Sequence, residues 1–530
     1  MTSNKSLNPV AWGYVEDALT ETERKPLLKL LGGFLGGAKF EARPPPPVGT
    51  VKLPAARIEI PPVLAYLVSE AHDVRVLHAV GRSFRDLATL RSGELQHAPD
   101  AVATARSAEE LDAVLDWANA QRYAVIPYGG GSSVVGGINA EGMDDFDGVV
   151  TLSLRGLNGV LDIDETSAVV HAQAGILGPD LDAALKPRGL AVRHFPQSYF
   201  HSTLGGWVAT RGAGHFSTLI AKIEDRVQAL SVTLPDGRRV ETRPLPASSV
   251  GIDPNRLWCG SEGTLGVITD VRLRCVRLPT ERKSAGIRFR TFEAALDCAR
   301  TLLQSGTYPT QLRILDPYEH MLTATFSGKA ATGALMVLGF ESAGLPLEAI
   351  FAKTAEIARG LGGELKDDGG KEAVGDWRNT FFRQPYLRDA LLDYGVISDT
   401  FETAVPWSKV PQFYRAVREA TVQALVKTCG SGMVGCRSTH SYTDGCSLYF
   451  AFFGPGRHGA LVEQWQQIKN AASDAVIANG GTISHHHAMG RDHKRWAGEE
   501  IPAAFRAAIR AAKLELDPKG ILNPGLWFVT

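Results

Sequence analysis

Four histidines stand close together near the C-terminal end of the chain, in the segment GTISHHHAMGRDHKRW from Gly481 to Trp496. An imidazole ring can carry a proton near neutral pH or bind a metal ion, so His485, His486 and His487 are candidates for either task. If the segment is a strand, His485 and His487 share one face and His486 takes the other, so the three cannot all bind one ion. No HExxH motif is present, and no carboxylate stands at metal-ligand spacing from the histidines. The sequence therefore favours proton transfer and predicts no metal site.

A glycine loop offers a second kind of chemistry, the binding of an anion. Glycines at residues 129–131 let backbone N–H groups approach a phosphate closely, and the hydroxyls of Ser132 and Ser133 add donors. The loop matches neither G-x-G-x-x-G nor G-x-x-x-x-G-K-S/T, and alone it is equally compatible with a tight turn. Two further segments of small and hydroxyl residues, Ser202 to Thr218 and Cys259 to Val271, favour the binding interpretation over the tight turn. Three such segments in one section indicate a long cofactor that runs across it.

The composition limits the classes of function. A chain of 530 residues exceeds what one hydrophobic core serves, so at least two domains are expected. With 44% hydrophobic residues, 21% charged residues and a formal net charge of −1, the chain is typical of a soluble globular protein, and nucleic acid is not an expected partner. The 6 cysteines form no CxxC pair, no secretory signal is evident, and no apolar run approaches the roughly 20 residues that span a bilayer. A cytoplasmic location is expected, with any lipid substrate met at a membrane surface.

The elements that must position these residues fall into two sections. Ser107 begins the helix-like stretch SAEELDAVLDWANAQ, with Glu110 three residues later as in a capping box, and the apolar strand YAVIP then leads into the glycine loop. Short strand patterns continue to about Leu278, beyond which strands alternate with long helices, as in a sheet covered by helices on one face. We therefore divide the chain into an N-terminal extension (1–92), a first α/β domain (93–278), a substrate-covering domain (279–490) and a C-terminal segment that returns to the first domain (491–530).

Several segments of the first domain resemble a known FAD-binding domain. PYGGGSSV, STLGGWVATRGAG, the IEDRV that begins at Ile223, and GSEGTLGVIT are similar to FAD-binding segments of the vanillyl-alcohol oxidase and para-cresol methylhydroxylase superfamily. The resemblance implies an α+β fold, in which a two-subdomain FAD-binding domain of the vanillyl-alcohol oxidase type is joined to an α/β cap domain with an antiparallel sheet covered by helices. The FAD-site residues that it implies are Gly129, Gly130, Gly131, Ser132, Ser133, Ser202, Thr203, Gly205, Gly206, Glu262, Gly263 and Ile268.

The FAD is expected to be bound without a covalent link. Several members of the superfamily tether the flavin through a histidine near the start of this domain. The corresponding stretch in this chain, VGRSFRDLATLRSG, contains no histidine.

Within that superfamily the chain resembles the alkyldihydroxyacetonephosphate synthase family. The similarity begins at the WGY of Trp12 and includes three cap segments, Tyr386 to Trp407, Ser438 to Phe453 and Gly480 to Gly490. It implies exchange of the acyl group of an acyl-dihydroxyacetone phosphate for a long-chain alcohol, through an adduct at flavin N5 and without net redox change. The alternative on the same fold is an FAD-dependent dehydrogenase or oxidase of a 2-hydroxy acid or another alcohol, because function belongs to the site and not to the fold.

The resemblance also assigns roles to residues of the cap. Arg388 corresponds to the family's active-site arginine, and a guanidinium suits a phosphate or carboxylate. Tyr449 corresponds to its proton-transferring tyrosine, for which we expect a pKa lowered by neighbours. His487 corresponds to the histidine assigned to acid-base work. The catalytic candidates are Tyr449, His487, Arg388, His485 and His486, and the substrate-binding candidates are Arg388, Arg313 and His194.

Two of these residues have a structural alternative. Arg388 precedes Asp389 on a predicted helix and could pair with surface carboxylates, and Tyr449 could be an ordinary strand aromatic. Three family motifs that arrive in order favour the functional interpretation.

The segment HFPQSYFHST departs from the family pattern, which leaves the identity of the phosphorylated substrate open. The departures are at Phe195, Gln197 and His201, whose side chains we expect to face the flavin or the substrate. A lipid or other small-molecule substrate, peripheral contact with a membrane and a homodimer are all compatible with the sequence.

Overall fold

The computed structural model describes residues 5–37, 40–326, 328–365 and 371–527. The prediction that no secretory signal is present includes residues 1–4, which lie outside these ranges. Within the described ranges, no helix is long and apolar enough to cross a membrane.

A four-stranded sheet with its helices forms the first part of the fold. Its elements are α1 Glu21–Phe34, β1 Val68–Ser69, α2 His72–Ala79, α3 Phe84–Arg91, β2 Ala101–Thr104, α4 Ala108–Gln121, β3 Ala124–Tyr128 and β4 Val149–Ser153. The strands lie in the order β1-β2-β4-β3, with β2, β4 and β3 parallel. Helix α4 starts where the Ser107 hydroxyl accepts the N–H of Glu110 at 3.2 Å, as the capping pattern predicts. Because β3 ends at Tyr128, the glycine loop leaves the sheet at the carboxyl end of a parallel strand.

A five-stranded antiparallel sheet forms the second part. Its elements and those beside it are β5 Val160–Asp164, β6 Val169–Gln173, α5 Gly178–Leu185, β7 Leu190–Ala191, α6 Leu204–Thr210, α7 Ser217–Ile220, α8 Ile223–Arg226, β8 Val227–Thr233, β9 Arg239–Glu241, α9 Asn255–Trp258, β10 Val267–Arg274 and β11 Val276–Arg277. The strand order is β5-β6-β10-β8-β9. Helix α6 begins where the Thr203 hydroxyl accepts the N–H of Gly206 at 3.3 Å.

A seven-stranded sheet forms the cap. Its elements are β12 Glu281–Phe289, α10 Phe292–Gln304, β13 Gln311–Leu315, α11 Pro317–Phe326, β14 Ala334–Ser342, α12 Glu348–Gly360, β15 Glu364–Leu365, α13 Lys371–Leu392, β16 Val396–Pro406, α14 Val410–Cys429, β17 Met433–Ser441, β18 Gly445–Pro455 and α15 Leu461–Ala478. The order is β15-β12-β14-β13-β17-β18-β16, and every neighbouring pair is antiparallel.

One face of the cap sheet packs in an apolar core, and the other borders a cavity. Strand alternation points Leu448 and Phe450 of β18 into a large apolar core, which they share with α10, α12, α14 and α15. The same alternation points Tyr449 and Ala451 of β18 to the opposite face, where both line a cavity. Helices α11 and α13 cover part of this second face, and the part that carries Tyr449 borders the cavity.

The C-terminal segment returns to the first sheet. After helices α16 Lys494–Glu500 and α17 Ala503–Leu516, the N–H of Val125 in β3 donates to the carbonyl of Ile521 at 2.7 Å. The N–H of Asn523 donates in turn to the carbonyl of Val125 at 2.8 Å. The end of the chain thus pairs with the strand that precedes the glycine loop.

The histidine segment is not a strand, so that prediction is wrong. Residues 481–489 form a series of bends and lie outside the sheets. The N–H groups of His485, His486 and His487 donate to one carboxylate instead of to a neighbouring strand. The alternation of faces that a strand would impose on the three rings therefore does not apply.

Candidate active site

A cavity of ≈ 300 Å³ lies between the glycine-rich loops and the face of the cap sheet that carries Tyr449. One wall is formed by residues 127–138, 195–198 and 202–214 of the first two sheets. The other wall comes from α11, α13 and β16 to β18 of the cap, and Trp12 of the N-terminal segment joins them. Segments that are far apart in sequence therefore face one space, whose volume is typical of a small-molecule site.

All of the predicted FAD-site residues line this cavity: Gly129, Gly130, Gly131, Ser132, Ser133, Ser202, Thr203, Gly205, Gly206, Glu262, Gly263 and Ile268. A Cβ atom on Gly130 would lie 1.9 Å from the carbonyl oxygen of His201, and Gly131 has a φ of +68°, so both positions require glycine. The backbone N–H groups of residues 129–134 donate to no acceptor in the described part of the chain. Free amides on a cavity wall suit a pyrophosphate, so this wall fits FAD.

Glu262 connects the cofactor wall to the histidine segment. Its buried carboxylate accepts the N–H groups of Met489 at 3.1 Å and Gly490 at 3.0 Å. Burial raises the pKa of Glu262 to about 7, although these two hydrogen bonds and Arg491 act to lower it. The cofactor wall and the residues that follow the histidines therefore share one buried carboxylate.

Glu402, on β16, organises the histidine segment itself. Its carboxylate is 1% exposed and accepts the N–H groups of His485 (2.6 Å), His486 (2.9 Å) and His487 (2.8 Å), and the hydroxyl of Ser484 (2.7 Å). Burial raises the pKa of Glu402, but the charge and hydrogen bond of His486, and then the neighbouring histidines, hold it well below its usual value. The segment thus wraps around an ionised carboxylate, and its bends follow from those hydrogen bonds.

Hydrogen bonds also fix the imidazole rings. The hydroxyl oxygen of Tyr442 lies 2.5 Å from Nε2 of His485, whose Nδ1 lies 2.9 Å from Nδ1 of His486. His440 of β17 adds a third ring, with Nε2 3.1 Å from the carbonyl of Gly214 and Nδ1 beside a neighbouring hydroxyl. Ligand atoms of His440, His485 and His486 all lie within 4.8 Å of one another, but both nitrogens of His440 and of His485 already have partners. His485 and His486 are therefore hydrogen-bonded to each other, and the ring of His440 packs against both, with centroids 5.0 Å and 5.2 Å away.

Burial holds three histidines near this wall neutral. Burial lowers the pKa of His440, His485 and His487 well below the usual value, and for His485 the charge of His486 adds to this effect. Glu402 opposes burial at His487 but does not reverse it. His486 and His487 line the cavity, whereas His485 lies behind them. A neutral ring at the cavity wall can accept a proton.

Tyr449 stands beside these rings on β18. Its hydroxyl lies 2.8 Å from that of Thr400, and its ring centroid lies 5.6 Å from that of His487 and 6.1 Å from that of His486. The expectation of a lowered pKa is wrong, because burial raises the pKa of Tyr449 and the charge of Arg437 and the Thr400 hydrogen bond only partly offset it. Tyr449 is therefore protonated at rest and can donate a proton.

Arg388 lies in the cavity wall as part of a buried pair. Its Nε and Nη2 atoms lie 2.9 Å and 2.8 Å from Oδ1 of Asp389. The other oxygen of Asp389 accepts the backbone N–H of Trp12, whose ring lies 5.9 Å from the guanidinium carbon of Arg388. The partner of Arg388 is thus its neighbour in sequence, inside the protein and not on the surface.

Of the other two substrate-binding candidates, Arg313 lines the cavity and His194 does not. Arg313 lines the cavity, donates to the carbonyls of Leu312 (2.8 Å) and His215 (2.9 Å), and has no carboxylate partner in the described ranges. Burial, followed by the charge of Arg437, lowers the pKa of Arg313 to about 9. His194 does not line the cavity; its ring packs 4.8 Å from that of Trp207, and burial lowers its pKa to about 3.

Of the three positions that depart from the family pattern, two line the cavity and one does not. Phe195 and Gln197 line the cavity, as expected. The side chain of His201 packs 4.9 Å from the ring of Trp12 and does not line the cavity.

Sequence reasoning missed several cavity residues because their types carry no motif. The available signal was the series of polar residues in the strand-like segment VISDTFETAV, where Asp399, Thr400 and Glu402 surround a single phenylalanine. The missed residues are Trp12, Glu319, Asp399, Thr400, Arg437, His440 and Lys469, and Glu402 immediately behind them.

Comparison with known proteins places these observations in a family context. Residues 99–243 match the family described as FAD binding domain, and residues 278–526 match the C-terminal domain of FAD linked oxidases. An alkyldihydroxyacetonephosphate synthase of Caenorhabditis elegans is 30% identical over 84% of this chain and 79% of its own length. A solved structure of an alkyldihydroxyacetonephosphate synthase has a TM-score of 0.83 at 24% identity, and covers 98% of each chain. The structure of p-cresol methylhydroxylase with substrate bound has a TM-score of 0.68 at 14% identity, over 96% of this chain and 97% of its own.

These likenesses confirm the predicted fold and cofactor. The fold is α+β, with an FAD-binding domain of the vanillyl-alcohol oxidase and p-cresol methylhydroxylase type and a cap with an antiparallel sheet. FAD is the cofactor of this family.

Gly130→Ala is expected to weaken FAD binding, because the added methyl group would displace the loop from the carbonyl of His201. We expect at least about a tenfold loss of affinity, or ~1.4 kcal/mol, in a titration of apoprotein with FAD followed by flavin fluorescence. Gly360→Ala, at a helical glycine with nothing within 4 Å of its added Cβ, is the control and should bind FAD normally. Equal affinity in both variants would contradict this role of the loop.

Glu402→Gln is expected to loosen the histidine segment, because an amide cannot accept all of the hydrogen bonds that the carboxylate accepts. Loss of this buried charge should lower the free energy of unfolding by about 3–5 kcal/mol and increase hydrogen exchange at residues 484–490. Because the folded pKa of Glu402 is depressed, its contribution is complete above the unfolded pKa of about 4.3 and is lost only as pH falls through the folded value.

The control for this measurement is Glu348→Gln, the same chemical change at a carboxylate whose pair with Lys283 is exposed. Its melting temperature should stay near that of the wild type. The difference in melting temperature between wild type and Glu402→Gln should narrow on acidification below about pH 4. A difference that is the same at all pH values would show that the charge of Glu402 has no part in the effect.

Proposed function

Since this chain belongs to the alkyldihydroxyacetonephosphate synthase family, we propose that it exchanges the acyl group of an acyl-dihydroxyacetone phosphate for a long-chain alcohol. The exchange breaks the bond from the substrate carbon to the acyl oxygen and forms a bond from that carbon to the alcohol oxygen. The acyl group leaves as a fatty-acid carboxylate together with the proton of the alcohol, and no electrons are transferred overall. The observation that carries the proposal is that the FAD wall and Arg388, Tyr449 and His487 face the same cavity.

The cap residues divide the work of binding and proton transfer. Arg388 is positioned to hold an anionic group, because Asp389 fixes its guanidinium and, against the effect of burial, raises its pKa. Bound FAD supplies the centre that activates the substrate carbon. Neutral His487 can take the proton of the attacking alcohol, and protonated Tyr449 can donate one to the departing acyl oxygen.

The apolar end of the cavity suits a long alkyl chain. Leu322, Leu387, Ala451 and Phe453 line the cavity and also belong to the apolar cluster that includes the leucines of α1. A hydrocarbon chain placed along this wall would be removed from water, which favours its binding. This contact also fits an enzyme that meets lipid at a membrane surface from the cytoplasm, and we include that location in the proposal.

An FAD-dependent dehydrogenase or oxidase of a 2-hydroxy acid remains the alternative. The match to the C-terminal domain of FAD linked oxidases is common to both activities and does not separate them. The alternative has less support for two reasons. Oxidation of a 2-hydroxy acid needs no apolar wall for an alkyl chain. It also needs only one proton-transferring group, whereas both Tyr449 and His487 face the cavity together with Arg388.

The synthase activity is tested with the purified flavoprotein, acyl-dihydroxyacetone phosphate and radiolabelled hexadecanol under anaerobic conditions. We expect label in alkyl-dihydroxyacetone phosphate, equimolar release of fatty acid and no net loss of oxidised flavin. Tyr449→Phe should reduce the rate by about 10² or more, because the ring stays and only the transferable proton is lost. Tyr308→Phe, at an exposed tyrosine, is the matched control and should retain the rate. Full bleaching of the flavin by a 2-hydroxy acid, with no alcohol incorporated, would support the alternative and contradict the proposal.

We propose that the FAD is held without a covalent bond. The histidines on the cavity wall, His440, His486 and His487, come from the cap and the segment after it, and none of residues 80–93 lines the cavity. Precipitation with trichloroacetic acid should therefore leave a colourless pellet and a yellow supernatant. Flavin absorbance retained in the washed pellet would demonstrate a covalent link.

A further inference from the structure

Tyr449 lies in the middle of a row of polar side chains that crosses three strands of the cap sheet. In the antiparallel register, Arg437 of β17 is opposite Tyr449 of β18, and Glu402 of β16 is opposite Tyr449 on the other side. Residues directly opposite each other in neighbouring strands point to the same face. The phenol is therefore placed between a guanidinium on one strand and a carboxylate on the other.

Arg437 covers the face of the Tyr449 ring. The guanidinium carbon lies 4.1 Å from the ring centroid, well within the distance at which a cation is attracted to an aromatic face. Arg437 is 4% exposed, so little water competes with this interaction. Removal of the phenolic proton would add a full negative charge to the ring system under the cation, which strengthens the attraction.

Glu319 of α11 holds Arg437 in this position. The Nη1 atom of Arg437 donates to Oε2 of Glu319 at 2.9 Å, and the Glu319 side chain is 2% exposed. Both residues line the cavity, but it is Arg437, and not Glu319, that lies over the ring of Tyr449. Glu319 therefore has two effects, since it orients the guanidinium and also neutralises part of its charge.

The other groups around Tyr449 act in opposing directions. From β16, Asp399 and Glu402 raise the pKa of Tyr449, and the Thr400 hydroxyl lowers it through a hydrogen bond. Arg388 of α13 interacts electrostatically with Tyr449 from a second element. The remaining groups on this wall are the rings of His486 and His487 at 6.1 and 5.6 Å, and Lys469 of α15, whose Nζ donates to the carbonyl of Thr400 at 2.9 Å.

We propose that Arg437, oriented by Glu319, is a positioning residue that stabilises the phenolate of Tyr449 while its proton is transferred. Burial raises the pKa of Tyr449 most strongly, and the charge of Arg437 is the largest influence that lowers it. Without this cation, a buried phenol beside the two carboxylates of β16 could donate a proton only at a high energetic cost. The inference rests on the proposed function only in assigning the proton transfer to the synthase reaction.

The two ends of the ion pair allow a test in which the expected shifts have opposite signs. Arg437→Gln removes the cation and leaves the negative Glu319 nearby, so the pKa of residue 449 should rise by about one unit or more. Glu319→Gln keeps a hydrogen-bond acceptor for Arg437 and removes the charge that neutralises it, so the pKa should fall. Arg437→Lys retains the positive charge and should shift the pKa less than Arg437→Gln.

The measurement uses the FAD-loaded full chain with 3,5-difluorotyrosine incorporated in place of Tyr449. Fluorination makes the phenol more acidic, which brings its titration into the pH range where proteins stay folded, and ¹⁹F NMR then follows this residue alone. The pH profile of synthase turnover, measured in the unlabelled variants, should shift in the same two directions. Because the NMR titration needs no substrate, it tests the coupling even if the synthase assay of the wild type fails.

Opposite shifts in Arg437→Gln and Glu319→Gln support the proposal. Shifts of the same sign, or no shift in either variant, would overturn it. If Arg437 and Glu319 had only a structural role, loss of either residue would change the pKa of residue 449 in the same direction or not at all. If Arg437→Gln does not fold, Glu319→Gln decides alone. A lower pKa at residue 449 in that variant supports the proposal, and an unchanged or higher pKa overturns it.

Discussion

The buried carboxylate of Glu402 is the constraint from which the geometry of the catalytic wall follows. A carboxylate that is 1% exposed is tolerated only when its oxygens are fully hydrogen-bonded, and here the donors are the backbone and Ser484 of the histidine segment. This requirement bends the segment into a loop and brings His486 and His487 to the cavity. Because Glu402 is also the strand partner of Tyr449, the same residue fixes the position of the histidines relative to the phenol.

The alternation of the cap sheet links this wall to the stability of the whole domain. Along β18, Leu448, Phe450 and Phe452 fill the core beneath the helices, while Tyr449 and Ala451 face the ligand. A slip of one residue would expose the core phenylalanines to the cavity and bury the phenol under the helices. The apolar face therefore specifies the register, and the register places the proton-transferring group.

The sequence was informative where a local rule decides the structure, and less so where distant segments meet. The glycine loop after β3 and the helix start at Ser107 follow from local patterns, and each lies where it was predicted. The histidine segment was assigned as a strand because its partner, Glu402, stands 83 to 85 positions away and carries no motif. The raised pKa of Tyr449 was missed because burial is a property of the assembled fold. Trp12 was noticed only as part of a family resemblance, and its contact with Asp389 could not be read from either segment.

Two hydrogen bonds between residues far apart in sequence support the cavity wall, and this has a consequence for the order in which the protein folds. The N–H of Trp12 donates to Asp389, which is 377 residues further along, and the side-chain amide of Asn523 donates at 3.0 Å to the carbonyl of Gly137, 386 residues earlier. Contacts of such separation form late and slow the folding of a chain. The binding cleft therefore stays incomplete until the chain has been synthesised at least as far as Asn523, so a cofactor can be fully enclosed only late in folding. A substitution that removes either hydrogen bond would therefore disturb the wall of the cavity from a residue far away in the sequence.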